Sequence, residues 1–117
     1  MDKRLIGILG EKLVCKWYTD RKYKLIGVNY KTRFGEIDII AQNRNTIVFV
    51  EVKTRKDDKF YSAKEAVTYT KQQKIKSAAA LYLSSHNIDD MYVRFDVAEV
   101  YHPDKNPVIN VIENAFE

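Results

Sequence analysis

The sequence predicts an α/β protein, a mixed sheet with flanking helices in the order α-β-β-β-α-β-β. Three observations predict this class. A helical repeat of apolar residues opens the chain, three β-prone stretches follow it, and a second helical stretch separates these from two further strands. The chain has 117 residues and no internal repeat or linker composition, so we expect a single domain over residues 1–117.

The first half of the chain is predicted to hold one helix and three strands. Apolar residues recur at every fourth position over residues 3–21, which is typical of an amphipathic helix. Strands are predicted over residues 22–30, 35–42 and 46–53, which are rich in β-branched, aliphatic and aromatic side chains. Residues 43–45 have turn composition, so we expect the second and third strands to form a hairpin.

The second half is predicted to hold a polar loop, a helix and two strands. The loop covers residues 55–62, and Ser62 is the expected helix cap, with Glu65 three residues on as in a capping box. The helix is expected to end at Ser84 or Ser85. The two strands are expected over residues 91–101 and 108–113.

Composition and charge narrow the function classes. The formal net charge is +4 and the pI is about 9.1, a mild basic bias that is compatible with a nucleic-acid partner. A single cysteine, Cys15, excludes an intrachain disulfide and makes a reducing compartment the default. No stretch approaches the ~20 apolar residues of a membrane span. We therefore expect a cytoplasmic protein with no membrane partner.

The stretch VFVEVKTR, residues 48–55, places two charges in the most β-prone part of the chain. Because successive side chains of a strand point to opposite faces, Glu51 and Lys53 are expected side by side. Their face begins with Ile47 and Phe49, and the other face holds Val48, Val50 and Val52.

The preceding strand carries a second carboxylate at a matching position. Alternation predicts one face with Glu36, Asp38 and Ile40 and the other with Ile37, Ile39 and Ala41. If the two strands pair around residues 43–45, Asp38 lies opposite or close to Glu51, within reach of its side chain.

Two interpretations of this pair stay open at this point. One is a solvated sheet face on which a lysine balances the acids. The other is a site for Mg²⁺ or Mn²⁺, since two carboxylates beside an apolar surface repel each other unless a cation lies between them. The carbonyl of Val52 is a further candidate ligand. Such a metal would activate water for phosphodiester hydrolysis, with Lys53 orienting that water or neutralising charge on the phosphate.

The segments GEIDII and VFVEVKTR, with LGEKLVCKWY and RFDVAEV, resemble the YraN-like family of small bacterial proteins. That family is similar to nucleases of the PD-(D/E)XK superfamily, which implies a restriction-endonuclease-like fold. The resemblance implies that Asp38 and Glu51 bind the metal, that Lys53 is the catalytic lysine and that Glu11 joins the site, as in resolvase-like members. The proline of the superfamily motif is absent, because Ile37 precedes Asp38.

Further residues are candidates for the same site. Glu36 shares a face with Asp38 and is an additional candidate, or it holds the adjacent loop. The candidates for nucleic-acid binding are Lys31, Arg33, Arg55, Lys71 and Lys74, because basic residues hold phosphates. Aromatic residues interleave with them and could stack on unpaired bases. They are Tyr30, Phe34, Phe60, Tyr61 and Tyr69.

Several of these positions have ordinary structural alternatives. For Lys71, the alternative is a lysine whose stem packs on the sheet while its ammonium reaches water. The loop 54–62 is the candidate for a flap that contacts substrate. Asp96 is expected to pair with Arg94 and not to bind metal.

Together these observations predict a Mg²⁺- or Mn²⁺-dependent endonuclease that hydrolyses DNA, with branched or damaged DNA as candidate substrates. The alternative is a nucleic-acid-binding module without cleavage that uses the same basic face. We expect DNA rather than RNA as the partner. A resolvase would need two active sites, which a homodimer would supply.

Overall fold

The computed structural model describes residues 2–55 and 67–117 and confirms the predicted order of elements. The first helix, α1, spans Lys3–Asp20, and the second, α2, spans Tyr69–Ser85. The five strands are β1 (Lys24–Lys31), β2 (Glu36–Asn43), β3 (Thr46–Arg55), β4 (Tyr92–Tyr101) and β5 (Val108–Phe116). Most predicted bounds agree to within two residues, but β5 is three residues longer than expected.

The strands form one mixed sheet in the order β1-β2-β3-β4-β5. The pair β3–β4 is parallel and the other pairs are antiparallel. A parallel neighbour requires a long crossover, which the segment containing α2 supplies. The predicted hairpin of β2 and β3 is present, with Asn43 opposite Thr46 and with Arg44 in the left-handed conformation at φ 56°.

Each face of the sheet carries its own apolar cluster. The cluster on the α2 side includes Ile40, Ile47, Phe49, Ile75 and Tyr82. The cluster on the α1 side includes Val14, Tyr18, Ile39, Val48 and Val50. The predicted alternation along β3 is therefore confirmed. Since both faces of β3 are covered by apolar side chains, any charge on it must lie toward its end.

The predicted start of the second helix is wrong. Thr68 is the N-cap of α2, with extended φ −66° and ψ 159°, and its hydroxyl accepts from the Lys71 N–H at 3.2 Å. Val67, immediately before it, is non-helical and buried in the cluster on the α2 side. A cap that satisfies a free N–H next to an anchored apolar residue sets the start of a helix. Ser62, Glu65 and most of the loop predicted over 54–62 lie outside the described residues.

None of the helices that the structure describes is long and apolar enough to cross a membrane.

Helix α1 packs tightly against β3 at Gly10, where a Cβ atom would collide with the Thr54 hydroxyl. We expect Gly10→Ala to destabilise the protein by about 1–3 kcal/mol through this overlap. Gly7→Ala should instead stabilise it by about 0.5–1 kcal/mol, because a Cβ there meets nothing within 4 Å and alanine favours a helix. Urea denaturation measures both.

The companion variant is Gly10→Ala with Thr54→Ala, which removes the obstructing hydroxyl and should recover most of the stability. Equal effects at Gly7 and Gly10 would contradict the packing of α1 on β3 at this point.

Candidate active site

Asp38 and Glu51 lie together where β2 and β3 stop pairing. The paired positions run from Asn43 and Thr46 to Ile39 and Val50, one step before the two acids. There the Asp38 Oδ2 accepts from the Val52 N–H at 2.8 Å. The carboxylate thus takes the place of a backbone partner, and this holds it against Glu51. The predicted proximity of the two acids is present in the structure.

The Asp38 carboxyl group ionises less readily than that of a free aspartic acid. Burial raises the pKa of Asp38 to about 8, the negative charge of Glu51 and a hydrogen bond with it add to this, and the bond from the Val52 N–H opposes it. Glu51 itself is only 5% exposed. With this raised pKa, Asp38 keeps its proton at neutral pH beside the Glu51 carboxyl group. A divalent cation bound by the two carboxylates would also relieve their repulsion.

Side-chain alternation is broken at Asp38, and here the sequence-based prediction was wrong. Ile37 packs in the cluster on the α2 side with Ile40, whereas Ile39 packs on the α1 side. In strict alternation Ile37 and Ile39 would share a face. On the facing strand, Asn29 lies between the positions paired with Ile37 and Ile39 and has φ 53°. A left-handed residue in a strand interrupts the pleat, and asparagine tolerates that conformation.

Glu11 reaches this region from α1. Burial raises the pKa of Glu11, helped by the charges of Glu36 and Glu51, and a hydrogen bond with Asn29 opposes this. The candidate Glu11 therefore lies close enough to the carboxyl pair to interact with it electrostatically, and Glu36 lies close enough to interact with Glu11. Asn29 is a site residue that the sequence analysis missed. Its only signal was a polar residue in the interior of a predicted strand.

Two lysines face Glu51 from different elements. The Lys53 Nζ lies 3.3 Å from the Glu51 Oε2, and the Lys71 Nζ, from α2, lies 3.7 Å from the same atom. Their side chains are 32% and 40% exposed, so both ammonium groups can also reach solvent or a ligand. For Lys71 the contact supports the interpretation in which it points to the site end of the sheet.

Arg55 is held by a buried acid that the sequence analysis did not single out. The Arg55 Nε lies 3.5 Å from the Glu99 Oε2, and the Asn110 side chain donates to the Glu99 Oε1 at 3.2 Å. Glu99 is 0% exposed and lies beside Lys53 in the parallel register of β3 and β4. Its signal was a lone acid within VAEVY, the same pattern that drew attention to Glu51.

The remaining nucleic-acid candidates lie around the turn between β1 and β2. Lys31, Arg33 and Lys74 are exposed, and Gly35 packs against the Lys74 side chain. The aromatic candidates differ in their exposure. Phe34 is 41% and Tyr69 74% exposed, and both line a groove with Lys74. Tyr30 packs edge-on against Tyr82 at the core, and Phe60 and Tyr61 lie outside the described residues.

The oxygen-donor pair fits the hard cations Mg²⁺ and Mn²⁺, because Asp38 and Glu51 already meet and repel each other. Within residues 2–55 and 67–117, no group of three or more His, Cys, Asp or Glu side chains is arranged to hold a metal ion. The structure thus brings together two of the predicted ligands. Ligation by Glu11 and by the Val52 carbonyl stays a prediction.

Comparison with known proteins places the whole chain in one family. Residues 10–100 match the model of the uncharacterised protein family UPF0102. A UPF0102 protein of Alkaliphilus oremlandii is 48% identical over 99% of this chain and 100% of its own length. Another from Caldanaerobacter subterraneus is 43% identical over 99% and 98%, and one from Nocardia farcinica is 38% identical over 98% and 91%. The chain therefore belongs to UPF0102, the YraN-like family that its motifs resemble.

Proposed function

We propose that this protein is a Mg²⁺- or Mn²⁺-dependent endonuclease of the PD-(D/E)XK type that hydrolyses DNA phosphodiester bonds. The observation that carries the proposal is the contact between the Asp38 and Glu51 carboxyl groups with the Lys53 ammonium 3.3 Å from Glu51. A chain that only packs its sheet gains nothing from placing a buried acid and a partly buried acid where they repel each other.

Each residue of the site would have its own role in the reaction. Asp38 and Glu51 would hold the metal, which supplies a Lewis acid and a water of lowered pKa. Lys53 would stabilise the negative charge that grows on the phosphate, and its contact with Glu51 keeps it at that point. Lys71, which contacts the same Glu51 oxygen from α2, would bind a neighbouring phosphate oxygen. Binding of the metal would displace the proton that Asp38 retains.

The second candidate is a nucleic-acid-binding module without cleavage. The observation that favours it is the exposed set of Lys31, Arg33 and Lys74 beside the exposed rings of Phe34 and Tyr69. Cations and stacking aromatics are sufficient to bind a strand without a metal. This candidate predicts that removing the Glu51 charge leaves affinity unchanged or raises it.

The deciding experiment incubates the protein with labelled linear, flap, single-stranded and four-way-junction DNA and with matched RNA. Each substrate is tested with Mg²⁺, Mn²⁺ or EDTA. We expect metal-dependent cleavage that falls at least about 100-fold in both Glu51→Gln and Lys53→Met. Glu51→Gln removes a charged metal ligand, and Lys53→Met removes the cation that stabilises charge on the reacting phosphate.

The matched control is Asp104→Asn, which removes an exposed carboxylate from the turn between β4 and β5 and should cleave like the parent protein. Cleavage in EDTA, or cleavage retained in Glu51→Gln, would contradict the metal site. Binding without cleavage of any substrate, unchanged in Glu51→Gln, would establish the non-catalytic module instead.

A further inference from the structure

A basic cavity lies at the end of the sheet opposite to the carboxyl pair. It has a volume of about 420 Å³ and forms where the turn between α1 and β1 meets the turn between β2 and β3. Thr46, the first residue of β3, lines it, and Glu51 follows five residues later on the same strand. At about 3.3 Å per residue, the cavity and Glu51 lie about 17 Å apart.

Four cationic side chains line this cavity, namely Arg21, Lys22, Arg44 and Arg94. Among the described residues that line it, none is acidic. Arg94 is already engaged by the buried Asp96, with its Nε 2.9 Å from the Oδ1, but the other three belong to exposed turns. Cations gathered around one concave surface repel each other and raise the local concentration of anions.

Arg21 lines the cavity and is held in place by Trp17. Its guanidinium carbon lies 3.7 Å from the centre of the Trp17 ring, and its Nη1 donates to the Trp17 carbonyl at 3.0 Å. A guanidinium stacked on an indole loses little further freedom on binding a ligand, and its remaining N–H groups match phosphate geometry.

Backbone geometry supplies an independent observation. Lys22 has φ 71° and Arg44 has φ 56°, the left-handed conformation, in the two turns that face each other across the cavity. Glycine or asparagine adopts this conformation at the lowest cost. Asparagines stand beside Arg44 on both sides, at Asn43 and Asn45, yet the left-handed position holds a cation. Turn formation therefore does not account for the two charges.

We propose that this cavity binds a backbone phosphate of a duplex DNA substrate, about five nucleotides from the phosphate that reacts beside Lys53. The spacing follows from about 17 Å divided by the rise of about 3.4 Å per nucleotide along one strand of a duplex. The exposed residues Lys24 and Lys31, at the two ends of the edge strand β1, mark the path between the two positions. The identity of the ligand rests on the proposed function, but binding of phosphate by the cavity does not.

The test uses Lys22→Gly together with Arg44→Gly. Glycine accepts the positive φ at both positions, so this variant removes two charges without straining either turn. The matched control is Lys3→Gln together with Lys105→Gln, which removes two exposed charges at residues that do not line the cavity.

Two readouts are compared. The first is a titration of inorganic phosphate followed by amide chemical shifts, in which residues 21–23 and 43–46 should respond in the parent protein and not in the glycine variant. The second is fluorescence anisotropy of a labelled 12-base-pair DNA duplex in EDTA. We expect the glycine variant to bind it about tenfold more weakly, with a salt slope smaller by about 0.9 for each phosphate that the variant no longer neutralises. The control should change affinity less than twofold.

Three outcomes would overturn the proposal: no phosphate response at these residues, unchanged duplex affinity in the glycine variant, or an equally weakened affinity in the control variant. The nuclease proposal is tested by a different result, namely metal-dependent cleavage. Absence of metal-dependent cleavage together with weaker binding by the glycine variant would reject the nuclease and keep the phosphate site. Cleavage together with unchanged binding would reject the phosphate site and keep the nuclease.

Discussion

Replacing Asp38 by Asn is expected to abolish metal-dependent cleavage and, in the same molecule, to stabilise the metal-free fold. The pKa of Asp38 is about 8 in the folded protein, against about 3.9 in an unfolded chain. Between these values the folded state holds more protons than the unfolded state, so stability falls as pH rises from about 4 to about 8. Asparagine carries no charge to repel Glu51, and its carbonyl oxygen can still accept from the Val52 N–H.

We expect the gain in Asp38→Asn to grow from near zero at pH 4 to about 1–3 kcal/mol at pH 8. One pKa unit corresponds to about 1.4 kcal/mol, and the expected gain is set below the full shift because Asp38 is only partly buried and water screens its charge. Urea denaturation in EDTA at pH 4, 6 and 8 measures this. Mg²⁺ should stabilise the parent protein at pH 8 and not the variant.

Asp104→Asn is the control, since it removes an exposed carboxylate and should leave the pH dependence unchanged. An Asp38→Asn protein that is less stable than its parent at pH 8 would show that the two acids do not repel each other. Retained cleavage in that variant would remove Asp38 from the metal site.

Asp96→Ala is expected to destabilise the protein by about 3–5 kcal/mol without contributing to chemistry at the site. Asp96 is 0% exposed and accepts from the Tyr18 hydroxyl at 2.7 Å, from Arg94 at 2.9 and 3.0 Å and from the Asn114 N–H at 3.0 Å. The predicted pairing of Asp96 with Arg94 is thus confirmed. Its removal would leave one buried hydroxyl and one half-buried guanidinium without their acceptor.

The pKa shifts of Arg94 and Tyr18 also indicate that these two side chains depend on Asp96. Burial lowers the pKa of Arg94, but its hydrogen bonds with Asp96 and Tyr23 outweigh this and raise it. Burial also raises the pKa of the Tyr18 hydroxyl, as does the charge of Asp96. Arg94 therefore stays charged and depends on Asp96 for compensation. The same contacts join α1 to β4 and, through the Asn114 N–H, extend β5 beyond its predicted end.

Tyr18→Phe is the matched comparison, since it removes one hydrogen bond and should cost only about 1 kcal/mol. Urea denaturation gives both values, and cleavage at low temperature, where Asp96→Ala remains folded, gives the activity. A destabilisation below about 1 kcal/mol in Asp96→Ala would contradict the buried network. Loss of cleavage at full stability would make Asp96 part of the active site.

The sequence by itself determined the order of the elements, the hairpin of β2 and β3 and the meeting of Asp38 with Glu51. Each of these follows from short-range periodicity or from a turn, where the deciding residues are neighbours along the chain. Glu51 was recognisable because a charge within a stretch of valines conflicts with the burial of that stretch.

Only the tertiary structure decided how the site is completed. The interruption of the pleat at Asp38 depends on Asn29 of the facing strand, and the start of α2 at Tyr69 depends on the anchoring of Val67 in the core. Lys71 reaches Glu51 from another element, and Glu99 comes beside Arg55 through the parallel register of β3 and β4. These contacts join residues far apart in the chain, and local periodicity carries no information about which distant side chains a packed sheet brings together.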